Sequence, residues 1–62
     1  MQALRTQAVK VQVGDVLNYR DQRWTVIQIE EESFGLEMRL RDEHGAGRVK
    51  FFLPDELVVV EF

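Results

Sequence analysis

The sequence predicts a small all-β domain of five short, mostly antiparallel strands that form a barrel. Three observations predict it. β-Branched and aromatic residues occur along the whole chain, apolar and polar residues alternate with a period of two, and turn-forming residues interrupt the alternation at short intervals. A chain of 62 residues has room for one core. We predict one domain over residues 1–62, with a variable N-terminal extension at 1–8 and the barrel at 9–62.

The N-terminal half contains three predicted strands. Val9–Val13 alternates apolar and polar residues, and Gly14–Asp15 then interrupts it as a turn or bulge. The extended chain resumes at Val16–Tyr19. Asp21–Gln22 predicts the tip of a tight turn, and the strand Arg23–Glu30 follows it.

Trp24 has two interpretations, which depend on the phase of this third strand. A register that turns Ile27 and Ile29 inward turns Trp24 and Val26 outward, unless a β-bulge at Ile27–Gln28 resets the alternation. The core position is favoured, because an exposed Trp forgoes much favourable burial in so small a chain. If Trp24 is exposed instead, it heads the candidate binding residues.

The C-terminal half contains two further strands and a short helical turn. Phe34–Arg41 alternates strictly, and the loop His44–Gly47 has the glycines that a hairpin turn requires. Arg48–Leu53 is the predicted return strand. Pro54–Leu57 predicts one short 3-10 turn before the final strand, Val58–Phe62, because proline suits the first helical position.

Three segments carry a resemblance to a known fold family: Val13–Val16, Trp24–Val26 and Pro54–Leu57. In this order the chain resembles the SH3-like barrels of bacterial information-processing proteins, which include KOW domains, Tudor-like modules and the N-terminal domain of translation elongation factor P. The resemblance covers roughly residues 11–62 and implies a half-open five-stranded barrel; it concerns fold and not function. The hairpin tip departs from elongation factor P because no lysine stands beside its glycines.

Composition excludes several classes of protein. The net charge of −3 argues against diffuse, sequence-independent binding to DNA, which calls for a strongly basic surface. The absence of cysteine excludes disulfides and cysteine-based metal sites, and favours a reducing, cytoplasmic setting. The longest apolar run, Leu57–Val60, is far too short to span a membrane, so no membrane partner is expected.

The residues that support catalysis or metal binding are few, and we expect no enzyme activity, no cofactor and no metal. His44 is the single histidine, and its glycine-rich loop favours an exposed turn residue over a general base. The acidic run Glu30–Glu32 alternates between two faces of a strand, which favours solvated side chains over a cation site.

The register of the last hairpin decides which of its side chains share a face. If Asp42 lies opposite Gly47, the loop Glu43–Ala46 has four residues. The predicted core-facing pairs are then Leu40 with Val49 and Met38 with Phe51.

The same register predicts a basic and aromatic outer face on this hairpin. The candidate binding residues are Arg39, Arg41, Arg48, Lys50 and Phe52, with Tyr19 as a further candidate. Opposed like charges destabilise a sheet, so this face calls either for an anionic partner or for neutralisation by Gln28, Glu30 and Glu37 on neighbouring strands. An exposed aromatic beside arginines suits single-stranded nucleic acid, a protein contact or a dimer interface.

The leading hypothesis is a non-catalytic binding module for nucleic acid, or for a nucleic-acid-processing protein that offers an acidic surface. The alternative is a protein-interaction or homo-oligomerisation domain with no nucleic-acid role. The final strand supports this alternative, because it is apolar on both faces and must be covered by another subunit or by the N-terminal segment Met1–Ala8.

Overall fold

A computed structural model describes residues 2–62 of the chain. This part contains six strands and one short 3-10 helix. The strands are β1 (Ala3–Gln7), β2 (Val16–Tyr19), β3 (Gln22–Glu32), β4 (Gly35–Asp42), β5 (Gly47–Phe52) and β6 (Leu57–Glu61). They form one antiparallel sheet in the order β1-β6-β2-β3-β4-β5. The all-β, antiparallel prediction is confirmed. The five-stranded barrel is wrong, because a sixth strand is present and the edge strands β1 and β5 do not pair.

The predicted strand Val9–Val13 is absent. The chain forms a 3-10 helix at Ala8–Lys10 instead, and of the three valines in this segment only Val11 is buried. The amide of Ala8 donates to the carbonyl of Glu56 at 2.8 Å. This bond ties the segment to the turn before β6, so its alternating pattern does not report a strand.

The N-terminal segment covers the terminal strand, as one of the two sequence-based alternatives proposed. β1 pairs with β6 from Ala3 opposite Glu61 to Gln7 opposite Leu57. Because β2 pairs with the other side of β6, the most apolar strand of the chain has no open edge.

The predicted 3-10 turn at Pro54–Leu57 is present only as a single hydrogen-bonded turn and not as a helix. It links β5 to β6, and the amide of Glu56 donates to the carbonyl of Leu53 at 3.1 Å. A second hydrogen bond joins the same two residues, because the Glu56 Oε1 accepts from the amide of Leu53 at 3.2 Å. These two bonds close the turn without a helix.

The core lies on one face of the sheet and includes Trp24, which is 6% exposed. A β-bulge between Val26 and Gln28 resets the alternation of β3, as predicted. Val26 therefore points inward with Trp24, Ile29 packs against the core further along, and the bulged Ile27 lies outside at 36% exposure. The core position of Trp24 is confirmed.

The register of the β4–β5 hairpin differs by one residue from the prediction. Arg41, and not Asp42, lies opposite Gly47. The Asp42 amide instead donates to the carbonyl of Ala46 at 3.0 Å, and the Asp42 Oδ1 accepts from the amide of Ala46 at 2.8 Å. The loop Glu43–Gly45 thus has three residues, and its last, a glycine, takes φ +85°.

A shift of one residue moves every side chain of a strand to the other face. The predicted core residues Val49 and Phe51 are exposed at 46% and 53%, and the predicted outer residue Phe52 is buried. Arg48 and Lys50 stand on the core-bearing face, opposite Leu40 and Met38. Inward-pointing charges are a common feature of edge strands, because they discourage pairing with another chain, and β5 is an edge.

The sheet is strongly curved, and its core-bearing face is concave. In a flat sheet β2 and β5, three strand spacings apart, would lie about 14 Å from each other. The Lys50 Nζ nevertheless lies 4.6 Å from the centre of the Tyr19 ring, although Tyr19 belongs to β2. Curvature brings the side chains of the two strands together, although the strands do not pair through their backbones.

Candidate functional site

Three cationic side chains surround the ring of Tyr19 on the concave face. The Lys50 Nζ lies 4.6 Å from the ring centre, and the guanidinium carbons of Arg20 and Arg48 lie 5.5 Å and 6.0 Å from it. All three distances fall within the range of cation–π attraction. Tyr19 is therefore the centre of a cationic site.

Two buried aromatic rings form the floor of this site. The Arg48 guanidinium lies 6.0 Å from the centre of the Trp24 ring, and the Lys50 ammonium lies 5.4 Å from that of Phe52. Trp24 and Phe52 are 6% and 4% exposed. We call the six residues the cationic-aromatic cluster: Tyr19, Arg20, Trp24, Arg48, Lys50 and Phe52.

A two-residue turn supplies one side of the cluster. Tyr19 pairs with Gln22, so Arg20 and Asp21 form the tip, one residue earlier than the sequence predicted. Both take left-handed backbone conformations, with φ of +53° and +62°. This conformation raises the free energy of a residue that carries a Cβ. The strain is located where Arg20 approaches the Tyr19 ring.

The charges of the cluster have no acidic counterpart. Within residues 2–62, the ion pairs shorter than 4.0 Å involve Arg23 and neither Arg20, Arg48 nor Lys50. Three cations close together without a carboxylate produce a local positive potential, although the chain carries a net charge of −3.

The cluster changes the acidity of its tyrosine. A hydrogen bond from the Lys50 ammonium lowers the pKa of Tyr19 from its usual 10.0, desolvation opposes the change, and the charges of Arg20, Lys50 and Arg48 lower it further. The lowered pKa means that negative charge at the phenolic oxygen is stabilised. The same position therefore favours an anionic group brought by a ligand.

A groove of about 160 Å³ adjoins the cluster in the gap where the sheet does not close. Tyr19, Phe52, Leu57 and Val58 line it, together with the acidic Glu56. A ligand above the cations thus also meets apolar surface and one carboxylate, whose Oε1 accepts from the amide of Leu53.

The structure divides the residues that the sequence singled out for binding. It brings Tyr19, Arg48, Lys50 and Phe52 together on the concave face. It leaves the remaining two candidates, Arg39 and Arg41, on the opposite, convex face, because they alternate with the buried Met38 and Leu40 along β4. The one-residue change of register separates the two groups.

Sequence reasoning missed one member of the cluster and misjudged another. Arg20 adjoins Tyr19 in a turn, and an aromatic residue followed by arginine at a turn tip was the available signal. Trp24 had been considered for binding only if exposed, whereas it contributes to the site from the core.

The acidic residues of β3 and β4 gather on the convex face. Carboxylate oxygens of Glu30, Glu32 and Glu37 lie within 4.8 Å of one another, and the Gln28 amide donates to Glu30 Oε1 at 2.8 Å. Glu37, from the next strand, joins the two members of the acidic run that share a face. Within residues 2–62 no ion pair shorter than 4.0 Å joins these carboxylates to arginines.

A second charged group on the convex face joins three strands. Glu61, only 9% exposed, accepts from the Asn18 side-chain amide at 2.6 Å, and its other oxygen forms an ion pair with the Arg23 Nε at 3.0 Å without a hydrogen bond. These contacts join β6, β2 and β3, so their role is structural.

His44 lies exposed at the β4–β5 loop, where its amide donates to Asp42 Oδ1 at 2.9 Å. This confirms the turn position.

None of the helical residues within 2–62 forms a segment long and apolar enough to cross a membrane.

Comparison with protein-family models, with curated proteins and with solved structures finds no match for this chain.

Proposed function

We propose that this chain is a non-catalytic binding module that holds single-stranded nucleic acid on the cationic-aromatic cluster. One observation carries the proposal: three cations surround one aromatic ring, and within residues 2–62 no carboxylate oxygen lies within 4.0 Å of their nitrogens. Single strands are held by cations that neutralise phosphates and by aromatic rings that stack against bases, and Tyr19 is the ring of the cluster that is not buried.

The charge distribution supports local binding. The net charge of −3 repels a polyanion from most of the surface, whereas Arg20, Arg48 and Lys50 attract it at one place. The acidic residues Glu30, Glu32 and Glu37 stand on the opposite face, where they do not compete for the cations. We therefore expect a short binding site of a few nucleotides.

We infer that the fold is a variant of the SH3-like barrels. β2 to β5 form a consecutive antiparallel series and β6 returns to pair with β2, which supports this inference, while β1 adds an outer strand. The inference concerns fold, and the proposed ligand rests on the cluster.

The test compares two double variants that remove the same charge from opposite faces. Arg48→Ser with Lys50→Ser removes two cations of the cluster, and Arg39→Ser with Arg41→Ser is the matched control. Each is titrated with a fluorescently labelled single-stranded oligonucleotide at several salt concentrations. The cluster variant should bind at least about tenfold more weakly, and the control should bind like the wild type.

Salt dependence gives a second readout. Three neutralised phosphates predict a slope of log K against log salt of about −2, and the cluster variant should lose about 1.4 of it. A wild-type chain that does not bind the oligonucleotide, or an equal loss in both double variants, would refute the proposal.

The alternative function is that of a protein-interaction or homo-oligomerisation domain. Exposed Phe34, Val49 and Phe51 on the convex side favour it. The terminal strand β6 does not, because β1 and β2 occupy both its edges.

A further inference from the structure

The convex face of β3, β4 and β5 carries apolar residues beside two adjacent groups of opposite charge. We call this surface the convex patch, and its members are Ile27, Glu30, Glu32, Phe34, Glu37, Arg39, Arg41, Val49 and Phe51. None of them belongs to the cationic-aromatic cluster, which lies on the other face of the same strands.

The apolar part of the patch is large for so small a chain. Phe34 and Phe51 are 62% and 53% exposed, and their ring centres lie 5.7 Å apart. Val49 and Ile27, exposed at 46% and 36%, line a shallow pocket together with Arg39. Exposed apolar side chains grouped in this way mark an interaction site.

Two neighbouring rows of paired residues carry the opposite charges. The first row comprises Glu30, Glu37 and Phe51, and the second comprises Gln28, Arg39 and Val49. In the first row Glu30 lies directly opposite Glu37, which destabilises the isolated sheet. Within residues 2–62 neither row makes an ion pair shorter than 4.0 Å, and the contact between them is the bond from the Gln28 amide to Glu30.

We propose that a second copy of this chain docks on the convex patch through a two-fold axis. The axis lies between the two copies, parallel to the two rows and midway between them, so that it runs perpendicular to the strands. This axis places each acidic row over the arginine row of the other copy. Glu37 then faces the partner's Arg39, and Phe51 faces the partner's Val49. The contact relieves the repulsion between the acidic side chains and covers the aromatic pair.

Self-complementarity is the reason for choosing a second copy over another protein. A two-fold contact uses the same surface twice, so the surface must carry both members of each contact, as this one does. Pairing through the β5 edges is the competing homodimer. It is disfavoured because Arg48 and Lys50 of one copy would meet the partner's Arg48 and the partner's Lys50.

The dimer does not depend on the proposed nucleic-acid function. The convex patch and the cationic-aromatic cluster lie on opposite faces, so the cluster stays open in the dimer. Failure of one proposal therefore leaves the other standing.

The experiment is a charge swap followed by sedimentation equilibrium over a range of protein concentrations. Glu37→Arg and Arg39→Glu are made singly and together. Each single variant places like charges in both symmetry-related contacts, so its dimer dissociation constant should rise by about tenfold or more. The double variant restores opposite charges and should recover most of the loss.

Two further variants separate loss of contact from loss of fold. Glu37→Arg removes the repulsion with Glu30, so it should keep or raise the melting temperature of the monomer while it weakens the dimer. Phe51→Ser should abolish the dimer. Arg5→Glu and Phe62→Ser, which change a charge and an exposed aromatic outside the patch, should leave the mass unchanged.

Three results would overturn the proposal. A wild-type chain that is monomeric at the highest soluble concentration is the first. Single charge reversals that leave the dissociation constant unchanged are the second, and a double variant as weak as the single ones is the third.

Discussion

The two faces of β5 differ in a way that reverses the usual arrangement of a half-buried strand. Arg48 and Lys50 point to the concave face, where they lie against aromatic rings, while Val49 and Phe51 point outward and are half exposed. Apolar residues normally face the core and charged ones the solvent. The comparison shows that an edge strand follows other rules than a central one.

The reason is the open sheet. Since β5 pairs with β4 alone, the concave face ends at β5 and Lys50 can lay its carbon chain over Phe52 while its ammonium reaches Tyr19. The inward charges protect the free edge. The apolar residues that the core does not use are then left on the convex face, where a second copy can cover them.

Replacement of one aromatic ring on each face should show the largest difference. Trp24→Ala should lower the free energy of unfolding by about 3 to 5 kcal/mol, because it empties the floor of the concave face. Phe51→Ala should cost less than about 1 kcal/mol in the monomer, since the ring is 53% exposed. Urea denaturation of both variants at low concentration checks the contrast, and equal losses would contradict it.

Trp24→Phe sharpens this test. The Trp24 Nε1 is buried without a hydrogen-bond partner within residues 2–62, which costs free energy. Phenylalanine removes that donor, so Trp24→Phe should lose much less stability than Trp24→Ala.

Gly35 holds β4 against β5, and its replacement should have the next largest effect. A Cβ at Gly35 would lie 2.4 Å from the carbonyl oxygen of Phe52, and the residue takes φ +151°. Gly35→Ala should therefore lower the free energy of unfolding by about 2 to 4 kcal/mol. Gly14→Ala is the control: it has a positive φ but nothing within 4 Å, and should cost about 1 kcal/mol. Similar losses in the two variants would mean that the close approach is absent.

The strained turn beside the cluster should respond in the opposite direction. Asp21 takes φ +62°, so Asp21→Gly should stabilise the chain by up to about 1 kcal/mol. Thermal denaturation measures this. The neighbouring Arg20 is left in place, so oligonucleotide binding should not fall, and a loss of binding would mean that Asp21 positions the cluster.

The acidity of Tyr19 should give the smallest effect. The chain has one tyrosine, so its ultraviolet absorbance titration reports this residue alone. Its pKa lies below 10.0 in the folded state, chiefly because of Lys50. Between the lowered pKa and 10.0 the unfolded state holds more protons, so stability from this group rises with pH and is absent at lower pH.

Lys50→Met keeps the length of the side chain and removes its charge. This variant should move the Tyr19 pKa back toward 10.0 and remove the rise in stability just below that pH. Arg39→Met, on the convex face, should change neither. An unchanged titration in Lys50→Met would place Lys50 away from the ring.

Local patterns in the sequence were sufficient for the central strands and for the bulge. β-Branched and aromatic residues predicted the strands that became β2, β3, β4 and β5, and the conflict of phase between Trp24 and Ile29 predicted the bulge between them. These features depend on neighbours along the chain or on one hairpin partner, and the core position of Trp24 follows from them.

The candidate site was less predictable, because it depends on a single residue of loop length. The Asp42 side chain closes a three-residue loop in place of the predicted four-residue one, and this choice exchanges Phe51 with Phe52 between the faces. The approach of Tyr19 to Lys50 depends on the curvature of the whole sheet. The prediction of a strand at Val9–Val13 was wrong for a related reason. The amides of Ala8 and Val9 donate to the distant carbonyls of Glu56 and Pro54, which the local pattern does not reveal.

The register of β4 and β5 determines which residues share each surface, and nuclear Overhauser contacts between ring and side-chain protons measure it. We expect contacts from the Tyr19 ring to Lys50 and from the Phe51 ring to Phe34. Contacts from the Phe51 ring to Met38, with none between Tyr19 and Lys50, would contradict it and would return both proposed surfaces to a single face.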